Sequence, residues 1–181
     1  MCMAELKYQQ QSGQGCLSVC LAYLCGLEPD AAYERFMMEH GFFGFRDNFA
    51  LSMLTAFISY RAGKNVITIS FGNKGYANQL QRQFSNQHVL IDYASMPELL
   101  GRPVSQPYIL YVDNHALGSY YHYPHVVLVL ASSVKTITIF EPWDGAQRRI
   151  SRTKILHAVN MLQDHLRICP MAIFTREPAD N

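Results

Sequence analysis

Apolar residues recur at helical spacing through the first third of the chain, then give way to alternating and β-branched runs in the second half. The first helical pattern covers 16–26 and closes at Gly26. The second covers 29–40, with Asp30 in an acidic first turn and Gly41 as its stop. An aromatic, glycine-punctuated loop follows, Gly41-Phe42-Phe43-Gly44-Phe45. Residues 49–60 predict a third helix after an Asp47 or Asn48 cap, ended by Gly63. A short strand over 65–71, a polar amphipathic helix over 75–84, a buried strand over 89–91 and a helical turn over 96–100 come next.

Strands then dominate: 108–112, 126–131 and 136–141 are runs of β-branched and aromatic residues. Ser132-Ser133-Val134-Lys135 joins the last two at hairpin length, and Trp143-Asp144-Gly145 turns the chain into 147–150. Ser151 or Thr153 caps a helix running to about His165, and 171–174 closes as a strand. Helices first and strands after predict an α+β fold, an N-terminal helical lobe packed on an antiparallel sheet. With no repeat or linker in sight, residues 1–181 read as a single domain.

Composition supports a folded enzyme-sized unit and removes some partner classes. Apolar residues make up 49% of 181 positions, enough for one substantial core. The formal charge of +1 gives no case for nucleic acid or an anionic membrane. The one basic cluster, Arg148, Arg149, Arg152 and Lys154, reads as a solvated strand end and helix start. The 5 cysteines are odd in number and crowded near the N-terminus, with no paired framework, which favours a reducing compartment. Cys20 and Cys25 read as core thiols. The apolar run from Leu17 to Leu27 lacks a compact basic lead-in and a small-residue cleavage site, so it reads as the central helix and not a signal peptide. The expected protein is soluble and cytoplasmic, without membrane insertion.

The chemistry-bearing position is Cys16. It opens the first helix, where unsatisfied N–H groups and the helix dipole stabilise an anion. Gly13 and Gly15 free the backbone beside it for close approach to a ligand. A thiolate needs a distant His folded alongside it, and His125 stands at the start of a strand, its side chain on the opposite face from Val126. His115 and His122, with Asp113, raise a metal reading, but their irregular spacing does not suit a metal site, and no metal or cofactor is expected. Tyr120, Tyr121 and Tyr123 are expected to line a substrate cleft or cover the sheet end, and Trp143 to pack into its turn.

These residues resemble those of the double-glycine-leader, bacteriocin-processing cysteine peptidases and their stand-alone relatives in the papain-like superfamily. In that family a Gln stands six residues before the catalytic Cys, as Gln10 stands before Cys16. The Cys opens a helix of small and apolar residues, matched by Leu17 to Leu24. The His starts a strand, matched by His125-Val126-Val127-Leu128. An Asp-Pro-x-x-Gly turn follows about sixteen residues later, where this chain has Glu141-Pro142-Trp143-Asp144-Gly145. The ordered match spans residues 10 to 145. The chain departs in having Gly15-Cys16-Leu17 for Asp-Cys-Gly and Glu141 for the family's Asp, with Asp144 as a rival for the acid's role.

The resemblance implies a papain-like fold with Cys16 as nucleophile, His125 as its acid–base partner and Glu141 orienting that His. Gln10, with the backbone N–H of Cys16, would stabilise the oxyanion. It implies a cysteine peptidase or amidase acting on a peptide or protein through a thioester, with cleavage after a small-residue pair such as Gly-Gly. Two other readings fit: acyl or peptidyl transfer, with Phe42, Phe43 and Phe45 walling a dry acceptor site, or a catalytically silent binding module that kept the fold.

Overall fold

The computed structural model describes residues 6–41 and 48–176. Three helices open the chain: α1 (Cys16–Leu24), α2 (Ala31–Gly41) and α3 (Phe49–Tyr60). The unit β1 (Val66–Phe71), α4 (Lys74–Gln83), β2 (Val89–Tyr93) follows, then α5 (Met96–Gly101), β3 (Tyr108–Asp113) and the short α6 (Asn114–Leu117). The chain finishes with β4 (Pro124–Ser132), β5 (Thr136–Glu141), β6 (Ala146–Ser151), α7 (Arg152–Leu166) and β7 (Met171–Arg176).

Local signals explain where these elements begin. Asp30 sits at the N-cap of α2, accepting from the Tyr33 N–H at 2.7 Å, one place outside the first turn expected for it. Asn48 caps α3 through Leu51 N–H and Ser151 caps α7 through Lys154 N–H. Asp47 and the Phe42, Phe43, Phe45 loop lie outside the described residues. The short α6 has no apolar periodicity; it is set by Asp113, whose carboxylate accepts from His115 N–H.

All seven strands join one sheet in the order β2-β1-β7-β3-β4-β5-β6. The fold is α+β, but two expectations need correction. The sheet is mixed, because α4 carries the chain back so that β1 and β2 pair in parallel. Helices also cover both faces, because the central strands carry apolar side chains on each side. On β3, Ile109 and Tyr111 join the core under α1 and α3, whereas Tyr108, Leu110 and Val112 join a second core under α5 and α7. A strand buried on both faces reads as an unbroken apolar run, which conceals the second layer from sequence patterning. Among the described residues no helix is long and apolar enough to cross a membrane.

Candidate active site

Cys16 is the first residue of α1, and no side chain caps this helix end. The N–H groups and positive dipole end of α1 are therefore left for whatever charge gathers at Cys16. The helix packs across β3 and β4 through Leu17, Val19, Cys20 and Leu21, all fully buried. That packing brings the start of α1 to the start of β4, where His125 stands.

His125 is 2% exposed, and its Nε2 lies 2.6 Å from Glu141 Oε1 at the end of β5. The ring and the Cys16 side chain border one cavity and are near enough for each to act on the other's charge. Three elements thus deliver a thiol, an imidazole and a carboxylate in series. Burial pulls the His125 pKa down, but hydrogen bonds and charge from Cys16 and Glu141 outweigh it and raise the value to about 9. Glu141 feels the opposite balance. Burial pushes its carboxyl up, whereas His125, the Trp143 N–H at 3.0 Å and Arg148 hold it below the ordinary range.

Asp144 takes no part in this pairing. Its carboxylate accepts from Ala146 N–H and pairs with Arg148, which ties down the turn. Gly145 has φ +70°, a conformation that favours glycine, and a Cβ there would lie 2.7 Å from the Lys7 carbonyl. The turn carrying Glu141 and the strap of residues 7–10 therefore run against each other, joined by Gln10 N–H donating to Pro142 O at 2.8 Å.

Gln10 is buried and is not among the residues lining the cavity at Cys16, and its Oε1 has no hydrogen-bond partner among the described residues. Its Nε2 donates to Ser12 O at 2.8 Å, and its side chain borders a separate cleft with Tyr8 and Glu28. Gln14, exposed and two residues before the thiol, borders the cavity instead. Glu34 of α2 is a site-building residue that sequence reasoning passed over. Its buried carboxylate accepts from Gln11 N–H at 2.9 Å and Ser12 N–H at 2.6 Å, clamping the loop that leads into Cys16. A Cβ on Gly15 would stand 2.1 Å from Glu34 Oε1. Gly15 thus makes room for a carboxylate of the protein itself, and the signal for it was the glycine.

A cavity of about 820 Å³ opens over Cys16 and His125. Tyr123 and Trp143 wall it, and Trp143 is half exposed. Tyr120 and Tyr121 are exposed and lie outside it. His122 binds the buried Asp113 through Nδ1 at 2.7 Å and stacks on His165, and the His115 ring lies tilted against it with centroids 4.1 Å apart. Among the described residues no group of three His, Cys, Asp or Glu side chains is placed to hold a metal. Cys20 is a core thiol whose burial, followed by the nearby Cys16 and Glu141, pushes its pKa well up. Cys2 lies outside the described residues. Of the basic cluster, Arg149 and Arg152 bond to Thr136 and Ser133 of the β4–β5 hairpin. The chain matches no family model and no curated protein.

Proposed function

We propose that the protein is a cysteine peptidase or amidase whose nucleophile is Cys16. The observation that carries this reading is His125, buried beside Cys16 at the wall of one cavity and bonded at 2.6 Å to Glu141. A His raised to about 9 stays cationic through neutral pH, which is the charge a thiolate requires beside it. Cys16 attacks a carbonyl carbon, and His125 gives its proton to the leaving amine. The thioester left on Cys16 is then hydrolysed by water that His125 deprotonates. Glu141 orients the ring and balances its charge through both steps. The resemblance to double-glycine-leader peptidases favours a peptide substrate cut after small residues. Transfer of the acyl group to an amine shares every step up to the thioester, and product analysis with an added amine separates it from hydrolysis.

The test is alkylation of Cys16 by iodoacetamide across a pH series, read by peptide mass spectrometry, with His125→Ala alongside. Rapid alkylation persisting into mildly acidic solution, lost in H125A, is the expected result. The profile of an ordinary thiol, unchanged by the mutation, would remove the activated pair and favour a silent binding module.

A further inference from the structure

We propose that the Tyr111 hydroxyl donates a hydrogen bond to the oxyanion formed at Cys16, an inference that rests on Cys16 being the nucleophile. Tyr111 lies on β3 directly across from Val126, the residue after His125. Its ring belongs to the core beneath α1, and its side chain borders the same cavity as Cys16 and His125. The residue is 6% exposed, and its hydroxyl is buried without a protein partner. Buried hydroxyls are almost always hydrogen-bonded, so one left open at the wall of a cavity marks a place for a ligand oxygen.

The neighbouring hydroxyls of the cavity differ in this respect. Tyr76 accepts from Asn48 Nδ2, and Tyr123 accepts from Asn114 Nδ2. Gln10, the side chain that the resemblance assigns to the oxyanion, is turned to Ser12 O and borders another cleft. Among the described residues lining the cavity, Tyr111 is thus the tyrosine whose buried hydroxyl has no protein partner of either kind. Burial first, then the nearby Cys16 and Cys20 thiols, push its pKa well up. The hydroxyl therefore keeps its proton and is able to donate it in a hydrogen bond.

In the reaction, the Cys16 sulfur forms a bond to the carbonyl carbon and the C=O π pair moves onto oxygen. Tyr111 O–H and the Cys16 N–H donate to that oxygen without transferring a proton. Collapse re-forms C=O and breaks the bond to the leaving group, which takes its proton from His125. The acyl thioester remains on Cys16, and Tyr111 ends the step as it began.

Two electrophiles separate this role from every other. p-Nitrophenyl acetate acylates a thiolate through an oxyanion, whereas iodoacetamide alkylates it by displacement with none. Tyr111→Phe removes the hydroxyl and keeps the ring. The expected result is a loss of ~10²-fold in acylation of Cys16 with alkylation unchanged, which also certifies a folded site. Gln10→Ala is the comparison variant, because the resemblance assigns that side chain the same role. Unchanged acylation in Y111F, or a loss confined to Q10A, overturns the inference while leaving the Cys16–His125 reading intact. Equal losses in both reactions of Y111F also overturn it, because the hydroxyl then serves the thiolate. Wild-type alkylation that does not depend on His125 removes the proposed function, and this inference with it.

Discussion

Glu141 stands where the resembled motif has aspartate, and its carboxylate is held by the turn that follows it. The carboxylate is held from two further directions, by the Trp143 N–H at 3.0 Å and by Arg148 at 3.8 Å, so its 2.6 Å contact with His125 is fixed by a turn. The lowered pKa of this buried group has a consequence for stability. Because the folded value lies below the ordinary 4.5, Glu141 contributes stability that is complete above about 4.5 and lost as pH falls through its folded value. His125, raised to about 9, has the reverse sign: its contribution is complete below 6.5 and lost as pH rises through about 9. In acid His125 is protonated in both folded and unfolded chains, so the acid window reports the carboxylate of the pair. Urea midpoints of wild type and Glu141→Gln should therefore differ by a constant amount between about 4.5 and 6.5 and converge below that window. Parallel curves into acid would show that the Glu141 charge is not held by the fold.

Helix α2 has a role in the site although none of its residues borders the cavity at Cys16. From it Glu34 reaches under the loop before α1, accepting from two successive backbone N–H groups and from the Tyr8 hydroxyl at 3.2 Å. A helix cannot position its own first residue; the approach of the preceding chain does that, and here a buried carboxylate sets it. Replacing Glu34 by Gln leaves amide hydrogens where acceptors are required, at a cost of about 1–3 kcal/mol. Glu34→Gln should lower the denaturant midpoint and slow iodoacetamide at Cys16, although Glu34 lies outside the cavity. A normal alkylation rate in the destabilised variant would show that the loop is held without it. Part of this arrangement was readable from sequence. Gly15 announced a close approach, and Cys16, His125 and Glu141 stood in an order that suits convergence. The identity of the approaching group was not readable, because Glu34 lies on a different helix and reads as a solvent-facing charge. The aim of Gln10 was equally hidden, since its partner is the carbonyl of Ser12, two residues away, and spacing alone does not choose between a local bond and the cavity.

The seven strands illustrate the same divide at the scale of the molecule. Alternation and turn chemistry are local, so each strand of the sheet was expected at nearly its observed position. Strand order is a matter of long-range pairing, and local pattern carries little of it. Strand β7 sits inside the sheet between β1 and β3, pairing antiparallel with both. It joins the β1–β2 unit, with its α4 crossover, to the β3–β6 meander that carries His125 and Glu141. Ile173, fully buried on β7, faces Ile69 on one side and Ile109 on the other. Ile173→Ala should cost about 2–5 kcal/mol through lost burial and the void left behind. The informative part is where that loss appears. Trp143, the only tryptophan, follows β5 and reports on the meander, whereas far-ultraviolet circular dichroism reports on all elements. If β7 makes the sheet one cooperative unit, both signals shift to lower denaturant together in I173A. A Trp143 transition that stays at the wild-type midpoint while circular dichroism moves would mean the meander folds without β7, leaving the His125–Glu141 pair independent of that strand.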